Sequence, residues 1–197
     1  INSNKILELL QHEVKIIILQ ANRWKLLPTE SLQYQPGENK WSIAQVVQHL
    51  NFYSRHYITA IENKLHYHTS TAASEFKPGW LGDYFTKLMQ PSANNTIAKK
   101  MKAPKNAMPA AVPDAQAELD EFINHQHQLL NILGIAKNAD LNKTRIPTSL
   151  SSMIKLKLGD TFRFFIAHEQ RHAVQVNNIL EAIKHPAFQR NQPLQGV

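Results

Sequence analysis

The 197-residue chain contains no cysteine, and this absence excludes several kinds of chemistry. Disulfides, thiolate zinc sites, iron–sulfur clusters and cysteine nucleophiles all need a thiol, so any transition metal must bind histidine or carboxylate. Long hydrophobic runs are also missing, since the longest aliphatic run, Ile16-Ile17-Ile18-Leu19, is far too short to span a bilayer. The start lacks the charged and apolar regions of a signal peptide, so we expect a cytoplasmic protein without membrane contact.

The size and charge of the chain favour one soluble domain that does not bind nucleic acid. A chain of 197 residues can bury a core large enough to fold as one unit, and we expect a single helical-bundle domain over residues 1–197. The net charge of +7 invites a nucleic-acid interpretation. The dense basic stretch, however, lies beside prolines without interleaved aromatics, which is typical of a solvated loop; it comprises Lys99, Lys100, Lys102 and Lys105.

Apolar residues recur at the helical spacing of three and four in four segments, and no segment shows a sustained period of two. This pattern predicts an all-α four-helix bundle. The segments are about Lys5 to Leu26, a helix capped by Ser42 and continuing to Leu65, roughly Asp114 to Leu133, and about Gly159 to Lys184. The connections between them are about 15, 45 and 25 residues long. Such lengths permit long crossovers, so consecutive helices need not be neighbours.

Local signals support two of these helix boundaries. Ser42 and Gln45 form a Ser-x-x-Gln capping box, which satisfies free amide donors at a helix start. Gly134 is the expected end of the third helix, since glycine is common just past a helix end. Between the second and third helices, residues 67–112 read as an ordered loop with one short helix at the apolar patch beginning at Trp80, near the mouth of a site.

The fourth helix carries the sequence His168-Glu169-Gln170-Arg171-His172. Histidines four residues apart lie on one face of a helix and can bind the same ion. Both belong to the inward-facing series, where a polar side chain is costly unless it is hydrogen-bonded or bound to a ligand. Core histidines satisfied by hydrogen bonds alone remain an alternative interpretation.

His49 supplies a third imidazole on another helix. It follows Val46 by three residues and precedes Tyr53 by four, so it faces inward on the second helix. Three histidines from two helices can converge inside a bundle and leave coordination positions open. The other histidines share no inward register and are expected at the surface; they are His12, His56, His66, His68, His125, His127 and His185.

Two segments resemble the signatures of a known family. The stretch from Lys40 to Leu50, KWSIAQVVQHL, is similar to the second-helix signature of the DinB-like (YfiT-like) metal-binding proteins. Residues 158–175, which include HEQRHAVQ, resemble the fourth-helix signature of the same family. The order of the two motifs and the four-helix pattern extend the resemblance over nearly the whole chain.

The resemblance implies a fold, a site and a range of activities. The family's three-histidine site maps onto His49, His168 and His172 and typically holds zinc, nickel or a similar divalent ion. Family activities include transfer of low-molecular-weight thiols such as bacillithiol, mycothiol or glutathione, and related isomerase chemistry. Relatives often dimerise, so a homodimer is a further expectation.

The same five residues also spell H-E-x-x-H, the motif of zinc peptidases, in which the glutamate is the general base. A peptidase needs a third ligand further along the chain. Here Gln175 and Asn178 stand where one such family has glycine and histidine. Glu181, nine residues after His172 on the same helix, would lie about 13 Å along the axis. A zinc peptidase is therefore only a remote alternative.

The sequence thus predicts a metal-dependent enzyme acting on a small molecule, as a thiol S-transferase or a hydrolase. Glu169 is the candidate general base, with a supporting or inter-helix role as its alternative. Tyr53 and Gln175 are candidate pocket residues. A non-catalytic metal-binding or stress-response module is the competing hypothesis.

Overall fold

A computed structural model describes residues 1–67, 70–92, 94, 96–97 and 101–184. Six α-helices and two short strands lie within these residues. The helices are α1 (Ser3–Lys25), α2 (Thr29–Gln33), α3 (Ile43–His66), α4 (Trp80–Met89), α5 (Ala115–Ile135) and α6 (Leu158–Lys184). The strands are β1 (Arg145–Pro147) and β2 (Lys155–Lys157), which pair antiparallel with Ile146 opposite Leu156.

The four long helices form a closed ring, which confirms the predicted all-α bundle. Helix α5 packs against α1 and α3, and α6 packs against the same two helices. The order around the bundle is therefore α1, α5, α3, α6, so α1 and α3 lie diagonally across the core. The connection from α1 to α3 and that from α5 to α6 are the crossovers that the long links permit.

Local chemistry explains where the long helices begin. The Ser42 hydroxyl accepts a hydrogen bond from the Gln45 amide, and the Gln45 side chain accepts one from the Ser42 amide, so the predicted capping box is present. The carboxylate of Asp114 accepts bonds from the amides of Gln116 and Ala117 at the start of α5. Helix α6 follows β2 directly, without an intervening loop.

Three details differ from the expectations. Helix α5 does not end at Gly134: it continues to Ile135 and tightens into a 3₁₀ turn at Ala136–Asn138, and no described glycine has a positive φ. Helix α2 was not predicted. Neither were the strands, because three residues are too few to show a period of two.

The described part of the link between α3 and α5 contains one short α-helix, as expected. This helix, α4, packs against α6. Further along the same link, a 3₁₀ turn at Lys105–Ala107 contacts α3. Of the basic stretch, Lys99 and Lys100 lie outside the described residues, whereas Lys102 and Lys105 are exposed. No helix in the described part of the chain is both long and apolar enough to cross a membrane.

Candidate metal centre

Helices α3 and α6 bring three imidazoles together at their interface. His49 of α3 and His168 and His172 of α6 each offer one ligand atom, and these atoms all lie within 4.8 Å of one another. The three side chains are buried, with exposed fractions of 4%, 6% and 8%. Among the described histidine, aspartate and glutamate residues, this is the one group with such a geometry.

Hydrogen bonds at Nδ1 orient two of the three rings. The Nδ1 atom of His49 lies 2.8 Å from the carbonyl oxygen of Ala107, and that of His172 lies 2.8 Å from Oε1 of Gln175. Both oxygens can only accept, so each Nδ1 carries the proton and donates it. The lone pair of each ring is then on Nε2, which is the tautomer that binds a metal ion through Nε2.

The spacing of the two imidazole nitrogens on α6 fits a transition-metal ion. Nε2 of His168 and Nε2 of His172 are 3.1 Å apart. Two nitrogens bound at about 2.0–2.1 Å to one ion are about 2.8–3.4 Å apart when the angle at the ion is between octahedral and tetrahedral. Nδ1 of His168 is buried without a partner among the described residues. The donor set is therefore compatible with a divalent ion such as zinc or nickel.

Burial keeps these histidines in the neutral form that binds metals. It lowers the pKa of His49, and a bond to Ala107 offsets this in part. Burial lowers the pKa of His172 to about 3. Burial also moves the pKa of His168 well below its ordinary value, and the two neighbouring imidazoles add to this effect. At neutral pH the three imidazoles are therefore neutral, which is the charge state that binds a metal ion.

Glu169 is buried, with 1% exposed, and its carboxylate contacts α5. Its Oε1 accepts a hydrogen bond of 2.7 Å from Nε2 of Gln126, while Oε2 has no partner among the described residues. Burial raises the pKa of Glu169 to about 8. Its oxygens are not part of the ligand cluster. Glu169 thus makes an inter-helix hydrogen bond. This contact is close to the supporting or inter-helix role that was its alternative in the sequence analysis.

The two candidate pocket residues both lie beside the cluster. The ring of Tyr53 packs edge-on against His49 at 5.1 Å and against His168 at 4.7 Å between centroids. Gln175 accepts the bond from His172 described above, so its contact orients a ligand. Glu181, by contrast, is exposed and paired with Lys184, which leaves the peptidase interpretation without a third ligand from α6.

Three neighbours of the cluster were not identified from the sequence. Trp41 contacts His49 at 4.8 Å, and Phe164 stacks on His168 at 6.4 Å between centroids. Phe164 precedes His168 by four residues, and this spacing was a usable signal. Trp41 directly precedes the capping box, which places it at the N-terminus of α3. The carbonyl of Ala107 has no sequence signal, because any residue supplies one.

The expectation for the remaining histidines is wrong at one position. His125 is buried, because α5 packs on α3 there, and its Nδ1 lies 3.1 Å from Oδ1 of Asn51. His12, His66 and His127 are exposed and His56 is half-buried, while His68 and His185 lie outside the described residues. His125 does not join the three-histidine cluster.

Comparison with known proteins agrees with this geometry. The sequence profile of the DinB superfamily matches residues 20–176, which include all three clustered histidines. The chain therefore belongs to the DinB superfamily. Neither the curated proteins nor the solved structures contain a significant match to it.

Proposed function

We propose that this member of the DinB superfamily binds one divalent ion, zinc or nickel, through His49, His168 and His172. The observation that carries the proposal is the convergence of three buried, neutral imidazoles from two helices. The described residues contain a single such cluster, and it has no carboxylate ligand. This favours a mononuclear site over a di-iron site, which needs several glutamates.

We further propose that the protein is a metal-dependent enzyme acting on a small molecule, either a low-molecular-weight thiol S-transferase or a hydrolase. A divalent ion held by neutral ligands keeps its full charge and can acidify a bound water or thiol and polarise a carbonyl. The chain's own residues would hold and orient this centre: Ala107 and Gln175 set the two tautomers, and burial excludes bulk water. Three protein ligands leave a position for substrate.

The contact of Glu169 with Gln126 bears on its role. A general base must reach the proton that it removes, directly or through one water. In the described conformation one oxygen of Glu169 is engaged by α5. We therefore favour a positioning role for Glu169, in which it links α6 to α5 across the core, over the role of general base.

Metal analysis of a single variant tests the three-histidine site. We expect His49→Ala to lower bound zinc or nickel by at least about tenfold at limiting metal, because two imidazoles remain where three converged. His125→Ala is the matched control, since it also removes a buried histidine but one outside the cluster. Elemental analysis of the purified proteins gives the stoichiometry, and equal metal in His49→Ala and the unaltered protein would refute the site.

The second candidate is a non-catalytic metal-binding module, which the deep burial of the cluster favours. A structural ion is coordinatively saturated, and its removal unfolds small metal-dependent domains. The four-helix ring has an extensive core of its own. We therefore expect the chelator-treated protein to keep a cooperative thermal transition, followed by circular dichroism. A loss of that transition would favour the structural role.

A further inference from the structure

Aromatic side chains surround the three imidazoles. Trp41 contacts His49 and also lies parallel to His172, with 17° between the planes and 6.4 Å between the centroids. Tyr53 contacts both His49 and His168. Aromatic pairs at such separations are attractive contacts, and rigid rings can form the wall of a ligand-binding site.

The rings continue from the cluster to the surface. Phe164 stacks on His168, and Phe85 of α4 lies 5.8 Å from Phe164. Tyr84 follows at 5.7 Å from Phe85 and is 56% exposed. We call these five residues, Trp41, Tyr53, Phe85, Phe164 and Tyr84, the aromatic strip. Its outer members, Phe164 on α6 and Phe85 and Tyr84 on α4, lead from the buried imidazoles to solvent.

The strip presents apolar ring faces next to the imidazoles, and such faces gain free energy by covering another apolar surface. A cavity beside His49 has a different lining, which includes the charged side chains of Arg55 and Glu118 and none of the five rings.

We propose that the aromatic strip is the substrate-binding wall and that it selects ligands with an apolar, ring-shaped group next to the metal-binding donor. This inference rests on the proposed function, since it requires an ion at the three histidines. The donor atom of the ligand binds the ion, and its ring packs against Phe164 and the neighbouring rings of the strip.

Two ligands that share the hydroxamate donor and differ in their carbon group, phenyl or methyl, test the proposal. Cobalt(II) is loaded into the metal-free protein, and benzohydroxamate or acetohydroxamate is titrated while the visible d–d absorption is recorded. We expect benzohydroxamate to bind at least about tenfold more tightly, because its ring is buried against the strip. Affinity is the readout, so no turnover is needed.

Variants assign the preference to the strip. Phe164→Leu and Phe85→Leu keep apolar volume but remove a ring, and we expect each to reduce the preference at least about threefold. Tyr67→Leu, which removes an exposed ring outside the strip, should leave it unchanged. Equal affinity for the two probes, or a preference that survives both variants, overturns the inference while the metal site stands. Absence of the cobalt absorption overturns the proposed function and this inference together.

Discussion

At the scale of the residue, the hydrogen bond at Nδ1 of an imidazole decides whether Nε2 has a lone pair for a metal ion. The carbonyl oxygen of Ala107 and Oε1 of Gln175 accept hydrogen bonds from Nδ1 of His49 and His172, so the lone pair of each ring is on Nε2. Neither partner was predictable with its role, because one is a backbone oxygen and the other depends on a side-chain rotamer. The register of the three histidines was predictable, since it follows from helical periodicity alone.

Glu169 provides a residue-scale prediction with a defined pH dependence. Its folded-state pKa of about 8 lies above the ordinary 4.5, so the unfolded chain loses this proton at lower pH than the folded one. Stability therefore falls as the pH rises from about 4.5 to about 8. Glu169→Gln removes this cost and keeps an acceptor for Gln126, so we expect it to stabilise the metal-free protein by about 1–3 kcal/mol at pH 8.

Urea unfolding at pH 5, 6.5 and 8 measures this effect. Glu181→Gln is the control, because it makes the same change on the exposed side of α6. A Glu169→Gln protein that is less stable than the unaltered chain at pH 8 would show that Glu169 is ionised and stabilising in the fold. Retained metal content in the same variant would agree with a positioning role.

At the scale of the element, the contact between α4 and α6 depends on a missing side chain. A Cβ atom at Gly82 would lie 2.3 Å from Cβ and Cγ of Asp160, which is itself buried. We expect Gly82→Ala to destabilise the protein by about 1–3 kcal/mol, because the two helices must separate or repack. Since α4 carries Phe85 and Tyr84, the change would also displace the outer aromatic strip.

Gly134→Ala is the matched control for this change. Gly134 is also helical, and its added Cβ would meet only Nε2 of Gln11 at 3.9 Å. Alanine is a better helix former than glycine, so we expect a gain of about 0.5–1 kcal/mol. Thermal unfolding of both variants gives the comparison, and a neutral Gly82→Ala would contradict the close packing.

Elements differed in how far the sequence could predict them. The long helices carry many turns of periodic apolar residues, and α3 has its capping box, so type and position were both accessible. The strands β1 and β2 have three residues each, and α2 has five, which is too short for a period to show. The predicted helix end at Gly134 was wrong, because α5 continues past this residue and tightens into a 3₁₀ turn.

At the scale of the whole molecule, the order of helices creates the site. In a bundle whose neighbours followed chain order, α3 and α6 would lie diagonally, and His49 and His168 would not share a helix–helix interface. The observed ring places them side by side, because the chain crosses the bundle twice. The lengths of the connections permitted this order, but only the packed structure shows it.

The central claim is that one ion is held by three imidazoles, and X-ray absorption at the metal edge tests it most directly. For the zinc- or nickel-loaded protein, we predict a shell with three imidazole nitrogens, at about 2.0–2.1 Å for zinc. The number should fall to two in any metal that His49→Ala retains. A shell with fewer than three imidazoles in the unaltered protein, or one that His49→Ala leaves unchanged, would contradict the account.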